Sequence, residues 1–229
     1  MLTAILTMSC QAQGNTFFDA ADAVFSTYVK NGKVDYAAIK KNPEKLDKAL
    51  KLAQNFNPDS NDPETYKAFW IDAYNLSVFK QVVGNYPIDS PQDVQGFFDK
   101  TTFKLGGKQI VLNDIENKML REKFPDEARF HFVLVCAGLG CPPIIDKAYR
   151  PKTLDQQMQQ QTELSLNNPD FIKVKGNNVA VSQIFKWYKE DFDRQGGTVA
   201  FINKFRDDKL PKDASVSYYD YDWKLNKIN

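Results

Sequence analysis

His131 is the only histidine in the chain, and imidazole is the one side chain whose ordinary pKa places proton exchange near neutrality. Any histidine-based proton transfer must therefore use it. Cys141 follows ten residues later, within Gly138-Leu139-Gly140-Cys141-Pro142-Pro143, a turn whose glycines let backbone approach a ligand closely. A thiol becomes a strong nucleophile where an imidazolium or a helix N-terminus stabilises its thiolate. Pro142-Pro143 suits a helix opening or tight turn that would put Cys141 near an N-cap. The pair is thus expected to act as a nucleophile and its base: His131 deprotonates Cys141, the thiolate attacks an amide or ester carbonyl, and water releases the acyl group. The plainer alternative is a histidine satisfied within a strand beside a buried cysteine.

An imidazole base needs a third group to fix its tautomer, and Glu116, Asp72 and Asn75 are the candidates. Glu116 is the first choice, although Asn113 and Glu116 also have the spacing of a capping box. Arg121 or Arg129 would bind an anionic substrate group, and Asn75 and Trp70 are the further substrate-binding candidates. Asp72 and Asn75 also have a structural reading, as buried polar groups tying a helix to a loop. One histidine with Cys136 and Cys141 is a thin set for zinc, without Cys-x-x-Cys spacing, so neither a metal nor a cofactor is expected. Cys136 ends an apolar run and is expected to face the core as a small hydrophobe. A disulfide to Cys141 is the less favoured arrangement, since it demands closely placed Cα atoms.

These residues must be positioned by elements that the spacing predicts. Phe17, Phe18, Ala21, Val24, Phe25 and Tyr28 make an amphipathic helix. Asn31-Gly32 signals a turn, and Pro43 can start a helix over residues 44–54. Residues 64–83 form the longest apolar helical pattern, suited to a central buried helix. Residues 103–112 read as a hairpin around Gly106-Gly107, and a helix starts at Asn113. The run Arg129-Phe130-His131-Phe132-Val133-Leu134-Val135-Cys136 is expected to be a central strand ending at the cysteine turn. A helix follows over 153–166, then a hairpin over 171–181, a helix capped by Ser182, a short helix over 198–205, and a strand-like aromatic tail over 216–223. Helices dominate the first half and hairpins the second, so the expected class is α+β, a helical N-terminal half packed on a small antiparallel sheet.

The chain has 229 residues, 42% hydrophobic and 26% charged, ample for a continuous core. Thirty basic residues against 29 acidic ones leave no electrostatic footprint for nucleic acid, and that partner class is set aside. No stretch approaches the roughly 20 apolar residues that span a bilayer. Residues 1–14 resemble the end of a signal peptide, and Leu6-Thr7-Met8-Ser9-Cys10 resembles a relaxed lipobox whose leucine stands one place early. The expectation is an exported protein, periplasmic or anchored to the outer membrane through a lipid on Cys10, with one domain over 15–229. Its partner would then be a peptide or small-molecule substrate of the cell envelope.

Leu112-Asn113-Asp114-Ile115-Glu116, Leu120-Arg121, Arg129-Phe130-His131-Phe132 and Gly140-Cys141-Pro142-Pro143 together resemble the core signature of domain of unknown function 547. Residues 32–36, 69–75, 182–192 and 221–226 fit the same pattern in order. The resemblance implies a rearranged papain-type or transglutaminase-like thiol hydrolase with Glu116, His131 and Cys141 in that chain order. Two departures stand out: Asn117 where the family often has histidine, and Gly140 where serine commonly precedes the cysteine. The alternative function is a non-catalytic envelope module that binds peptide or glycan along aromatic residues such as Tyr218, Tyr219, Tyr221 and Trp223. A thiol–disulfide role for Cys136 and Cys141 is a third possibility.

Overall fold

A computed structural model describes residues 3–228, with side chains from Thr16 onward. The expected leader and the anchor at Cys10 lie outside the described side chains. Four helices build the first half: α1 (Thr3–Tyr28), α2 (Tyr36–Lys41), α3 (Glu44–Asn55) and α4 (Pro63–Asn85). Asp62 caps α4 by accepting a bond from the Thr65 amide at 3.2 Å, and Pro63 occupies its first turn, where no amide hydrogen is needed. From Ala68 to Phe79 every residue of α4 is buried. A helix apolar on all sides must be enclosed on all sides, and α1, α2 and α3 all pack on α4. The rings of Phe17 and Phe56 lie 5.0 and 5.1 Å from that of Phe69.

Between α1 and α2, β1 (Val29–Lys30) and β2 (Lys33–Val34) form a hairpin through Asn31-Gly32. Gly32 has φ +73°, and a Cβ there would stand 2.5 Å from that of Pro143. Only glycine therefore lets this turn rest against the cysteine loop.

Next come the hairpin β3 (Thr102–Leu105) and β4 (Lys108–Val111), and α5 (Leu112–Asp114), which widens into a π-helical stretch over Ile115–Arg121. Such stretches are uncommon and often mark functional sites. The expected capping box does not form. The helix begins earlier, at Leu112, and the Asn113 side chain instead accepts a bond from Asn117 Nδ2 at 3.0 Å.

The last third holds α6 (Leu154–Leu166), β5 (Ile172–Lys175), β6 (Asn178–Val181), α7 (Ile184–Trp187), α8 (Lys189–Arg194), α9 (Thr198–Phe205) and β7 (Ser215–Tyr218). β5 and β6 are antiparallel, with Ile172 opposite Val181, while β7 runs parallel to β6, with Val216 opposite Val179. The class is α+β. In place of one small sheet, the described residues form two hairpins and a three-stranded sheet.

Residues 129–136, expected as a central strand, are instead a 3-10 helix (Ala128–Phe132) followed by irregular chain. A continuous apolar run signals burial on every side rather than any one backbone form, and here the burial has two sources. Phe130 belongs to the large core around α4, whereas Phe132 belongs to a second core with Phe171, Phe185, Phe192 and Phe201. His131 sits between them, at the seam. Among the described residues no helix is long and apolar enough to cross a membrane.

Candidate active site

His131 is held on three sides. Tyr188 stacks on the imidazole at 4.0 Å between centroids and 28° between planes, and Phe192 packs at 5.4 Å. Asp191 Oδ2 lies 2.8 Å from Nε2. The same oxygen accepts a bond from Arg121 Nε at 2.6 Å. Burial opposes the charge of Asp191, but hydrogen bonds from His131 and Arg121 outweigh it and hold the carboxyl well below the usual range. An ionised Asp191 accepts, so Nε2 carries the proton and Nδ1 is the basic nitrogen. Among the described residues Nδ1 has no hydrogen-bond partner.

Asp191, rather than Glu116, therefore orients the histidine. Glu116 instead lies near Tyr188, where its negative charge adds to the rise that burial gives the phenol, in the same cleft. One signal for Asp191 existed in the sequence: it stands three residues after Tyr188 and seven after Ile184, an acid on the stripe α7 and α8 turn inward.

Cys136 and Cys141 form a disulfide, with Cα atoms 6.3 Å apart. This replaces the expectation of a free, core-facing Cys136. The chain turns sharply after Cys136: Ala137 has φ +63°, and the Cys141 amide bonds to Gly138 O at 3.2 Å. That turn returns Cys141 to its partner. Two donors converge on the Cys141 sulfur, the Cys136 amide at 2.9 Å and the Tyr221 hydroxyl at 3.0 Å. Tyr221 is also 3.1 Å from the Cys136 sulfur. Cys141 is not at a helix N-terminus, because residues 141–150 are irregular.

Two supports fix this loop. Asn75, on α4, donates to Val133 O at 2.9 Å and accepts from the Val135 amide at 3.0 Å. Beyond the cysteine, the Leu139 and Gly140 amides bond to Lys224 O and Asp222 O at 2.8 and 2.7 Å, and the Asn226 amide bonds to Ala137 O at 2.8 Å. Asn226 in turn accepts a bond from the Tyr36 hydroxyl at 2.8 Å. Gly140 permits this seam, because a Cβ there would meet the Asp222 nitrogen and the Tyr221 ring at 3.0 Å.

His131, Glu116, Cys136 and Cys141 all line one cleft of about 270 Å³, along with Tyr188 and Tyr221. The four other substrate-binding candidates do not. Arg121 is spent on Asp191 and on the Asn117 side chain. Arg129 pairs with Glu127 at 2.6 Å and Asp155 at 2.9 Å. Asn75 is used by the loop, and Trp70 is buried against Phe69 at 4.9 Å and Tyr66 at 6.1 Å. A further residue missed from the sequence is Trp187, which lines the cleft beside Tyr221 and Trp223 of the aromatic tail, the three rings lying 4.7–5.9 Å apart, while Tyr218 and Tyr219 do not line it. Among the described residues no cluster of histidine, cysteine or carboxylate side chains could hold a metal.

Fold and cleft thus define an α+β protein in which a cysteine pair and a carboxylate-held histidine line one cleft. Residues 58–166 match the family model described as "Protein of unknown function, DUF547", which supports the resemblance to domain of unknown function 547. The match includes Glu116, His131 and Cys141 but ends before Asp191 and the aromatic wall. None of the curated proteins and none of the solved structures compared with the chain matches it.

Proposed function

We propose that the cleft is the active site of a thiol hydrolase or acyltransferase whose nucleophile is Cys141 in its reduced form. The observation that carries this reading is the commitment of His131 Nε2 to Asp191, which leaves Nδ1 as the base on a cleft shared with the cysteine sulfurs. A dithiol or phosphine reductant first converts the disulfide to two thiols. His131 then takes the Cys141 proton, and the thiolate forms a C–S bond to an amide or ester carbonyl. The imidazolium returns the proton to the departing amine or alcohol, and His131 deprotonates the water that cleaves the thioester. Charge moves from sulfur to the carbonyl oxygen during attack. The Tyr221 hydroxyl and the Cys136 amide, which already point at the sulfur, are the nearest donors to follow it.

Export and anchoring through Cys10 belong to the same proposal. They rest on the leader pattern, and a disulfide is the bond an oxidising compartment favours. The test is alkylation of the reduced protein with iodoacetamide across pH, with modified sites located by tandem mass spectrometry. Cys141 should react faster than a free thiol at pH 6–7, and His131→Ala should abolish the advantage. A Cys141 no more reactive than free cysteine would remove the proposal.

The disulfide itself favours a second reading, thiol–disulfide exchange with a dithiol partner. Cys136→Ser separates the two readings: exchange needs both sulfurs, whereas acyl transfer needs only Cys141.

A further inference from the structure

The cleft has an uneven charge. Among the described residues that line it, Glu116 is the only carboxylate, and no lysine or arginine is present. The two arginines expected to receive an anion are turned to Asp191, Glu127 and Asp155. The cleft that Glu116 lines is otherwise largely aromatic, with Tyr74, Phe98, Trp187, Tyr188, Tyr221 and Trp223 in its walls. Trp187 is 48% exposed although large and apolar, so about half of it remains accessible beside Tyr221 and Trp223.

Burial is the main reason the phenols of Tyr74, Tyr188 and Tyr221 are pushed up, and the negative charge of Glu116 adds to the rise at each. Its charge therefore acts on three of the tyrosines that line the cleft. An anionic ligand filling this space would meet the Glu116 charge with repulsion, and a neutral one could return to its carboxylate no more than a neutral hydrogen bond, weaker than an ion pair. A cation would be met twice, by the carboxylate and by the negative faces of the rings.

We infer that the cleft binds a cationic group, an ammonium or alkylated ammonium, between Glu116 and the Trp187, Tyr221 and Trp223 rings, and that the substrate of the proposed acyl transfer carries such a group beside its amide or ester. This substrate assignment rests on the reading of the cleft as the reaction site. Cation binding itself does not require the nucleophile.

The experiment uses three probes of similar size: benzyltrimethylammonium, N-benzylacetamide and phenylacetate. Binding is followed by tryptophan fluorescence and by saturation-transfer NMR on the oxidised full chain. The cation should bind saturably and about tenfold more tightly than either other probe. Glu116→Gln should remove most of that preference. Trp187→Leu, at an exposed position that does not threaten folding, should weaken the cation more than the neutral amide and serves alone if the Glu116 variant fails to fold. Equal affinities for the three probes, no saturable binding of the cation, or a preference untouched by the variants would overturn the inference. If one of those outcomes is found while iodoacetamide still finds a hyper-reactive Cys141 in the reduced protein, the substrate class falls and the thiol mechanism stands.

Discussion

Asp191 Oδ2 lies 2.8 Å from His131 Nε2 across 60 residues of chain, and that oxygen also holds Arg121 at 2.6 Å. One carboxylate thus fixes the base and the cation that balances it. Asp191→Asn keeps the shape but removes the charge, leaving Arg121 and His131 without their anion. Breaking a buried pair from one side destabilises by roughly 3–5 kcal/mol, and the partial exposure of Arg121 places the expected loss near the lower bound, about 3 kcal/mol. Urea unfolding measures this. A loss below about 1 kcal/mol would mean that solvent already screens the pair.

The same carboxyl sets an acid limit. Its pKa is depressed in the folded state, so its contribution is fully present above the unfolded value, about 3.9, and is lost as pH falls through the folded value. Wild-type stability should drop steeply below about pH 4, and Asp191→Asn should show a shallower drop in the same window. Parallel melting temperatures from pH 5 to pH 2 would count against this assignment.

Asp72 behaves in the opposite sense. It is fully buried, its Oδ1 accepts from the Tyr149 amide at 3.0 Å, and its Oδ2 has no partner. Burial pushes its pKa well above the usual range. A raised acid binds its proton more tightly when folded, so stability declines as pH rises from about 4 toward the folded value. Asp72→Asn keeps an acceptor for Tyr149 and cannot ionise. Its melting temperature relative to wild type should improve between pH 5 and pH 8; a constant difference would show that the carboxyl does not titrate there.

Asn75→Ala tests the structural role of a residue first considered for substrate binding. It would leave Val133 O and the Val135 amide without their buried partner, at a cost of about 2–4 kcal/mol. Hydrogen exchange should quicken at Val135, and unchanged protection would mean that the loop is held elsewhere.

Gly140→Ser puts back the residue common in the family and tests the seam with residues 222–226. A Cβ 3.0 Å from the Asp222 nitrogen and the Tyr221 ring forces the strap outward, with an expected loss of about 1–3 kcal/mol. Tyr221 would move from the sulfurs with it, so alkylation of reduced Cys141 should slow. A variant as stable and reactive as wild type would show that the strap yields freely.

Local sequence pattern carried most of the longer helices. α3, α4, α6 and α9 lie where apolar spacing puts them, as do the hairpins at Gly106-Gly107 and Gly176-Asn177, because local propensity and burial agree there. The segment ending at Cys136 misled for a physical reason. Phe132 enters one core while Phe130 and Val133 to Val135 enter the other, and the resulting unbroken apolar string has the composition of a buried strand without strand pairing. His131, Cys141 and Glu116 were legible as residue types from rarity and turn chemistry, and the structure puts them on one cleft. Their partners were not. Asp191 lies 60 residues from His131 and Tyr221 lies 80 from Cys141, and no spacing rule spans such distances. The disulfide was underrated for a local reason: the left-handed turn at Ala137, which brings the sulfurs together, falls on a residue that does not favour it.

The strap has a consequence for how the protein is made. Its bonds to residues 137–140, and the Tyr221 hydroxyl at the sulfurs, cannot exist until residue 226 has left the ribosome. The helical half can pack well before then. Until then the two sulfurs lack their phenol, so completion of this pocket waits on the arrival of residues 221–226.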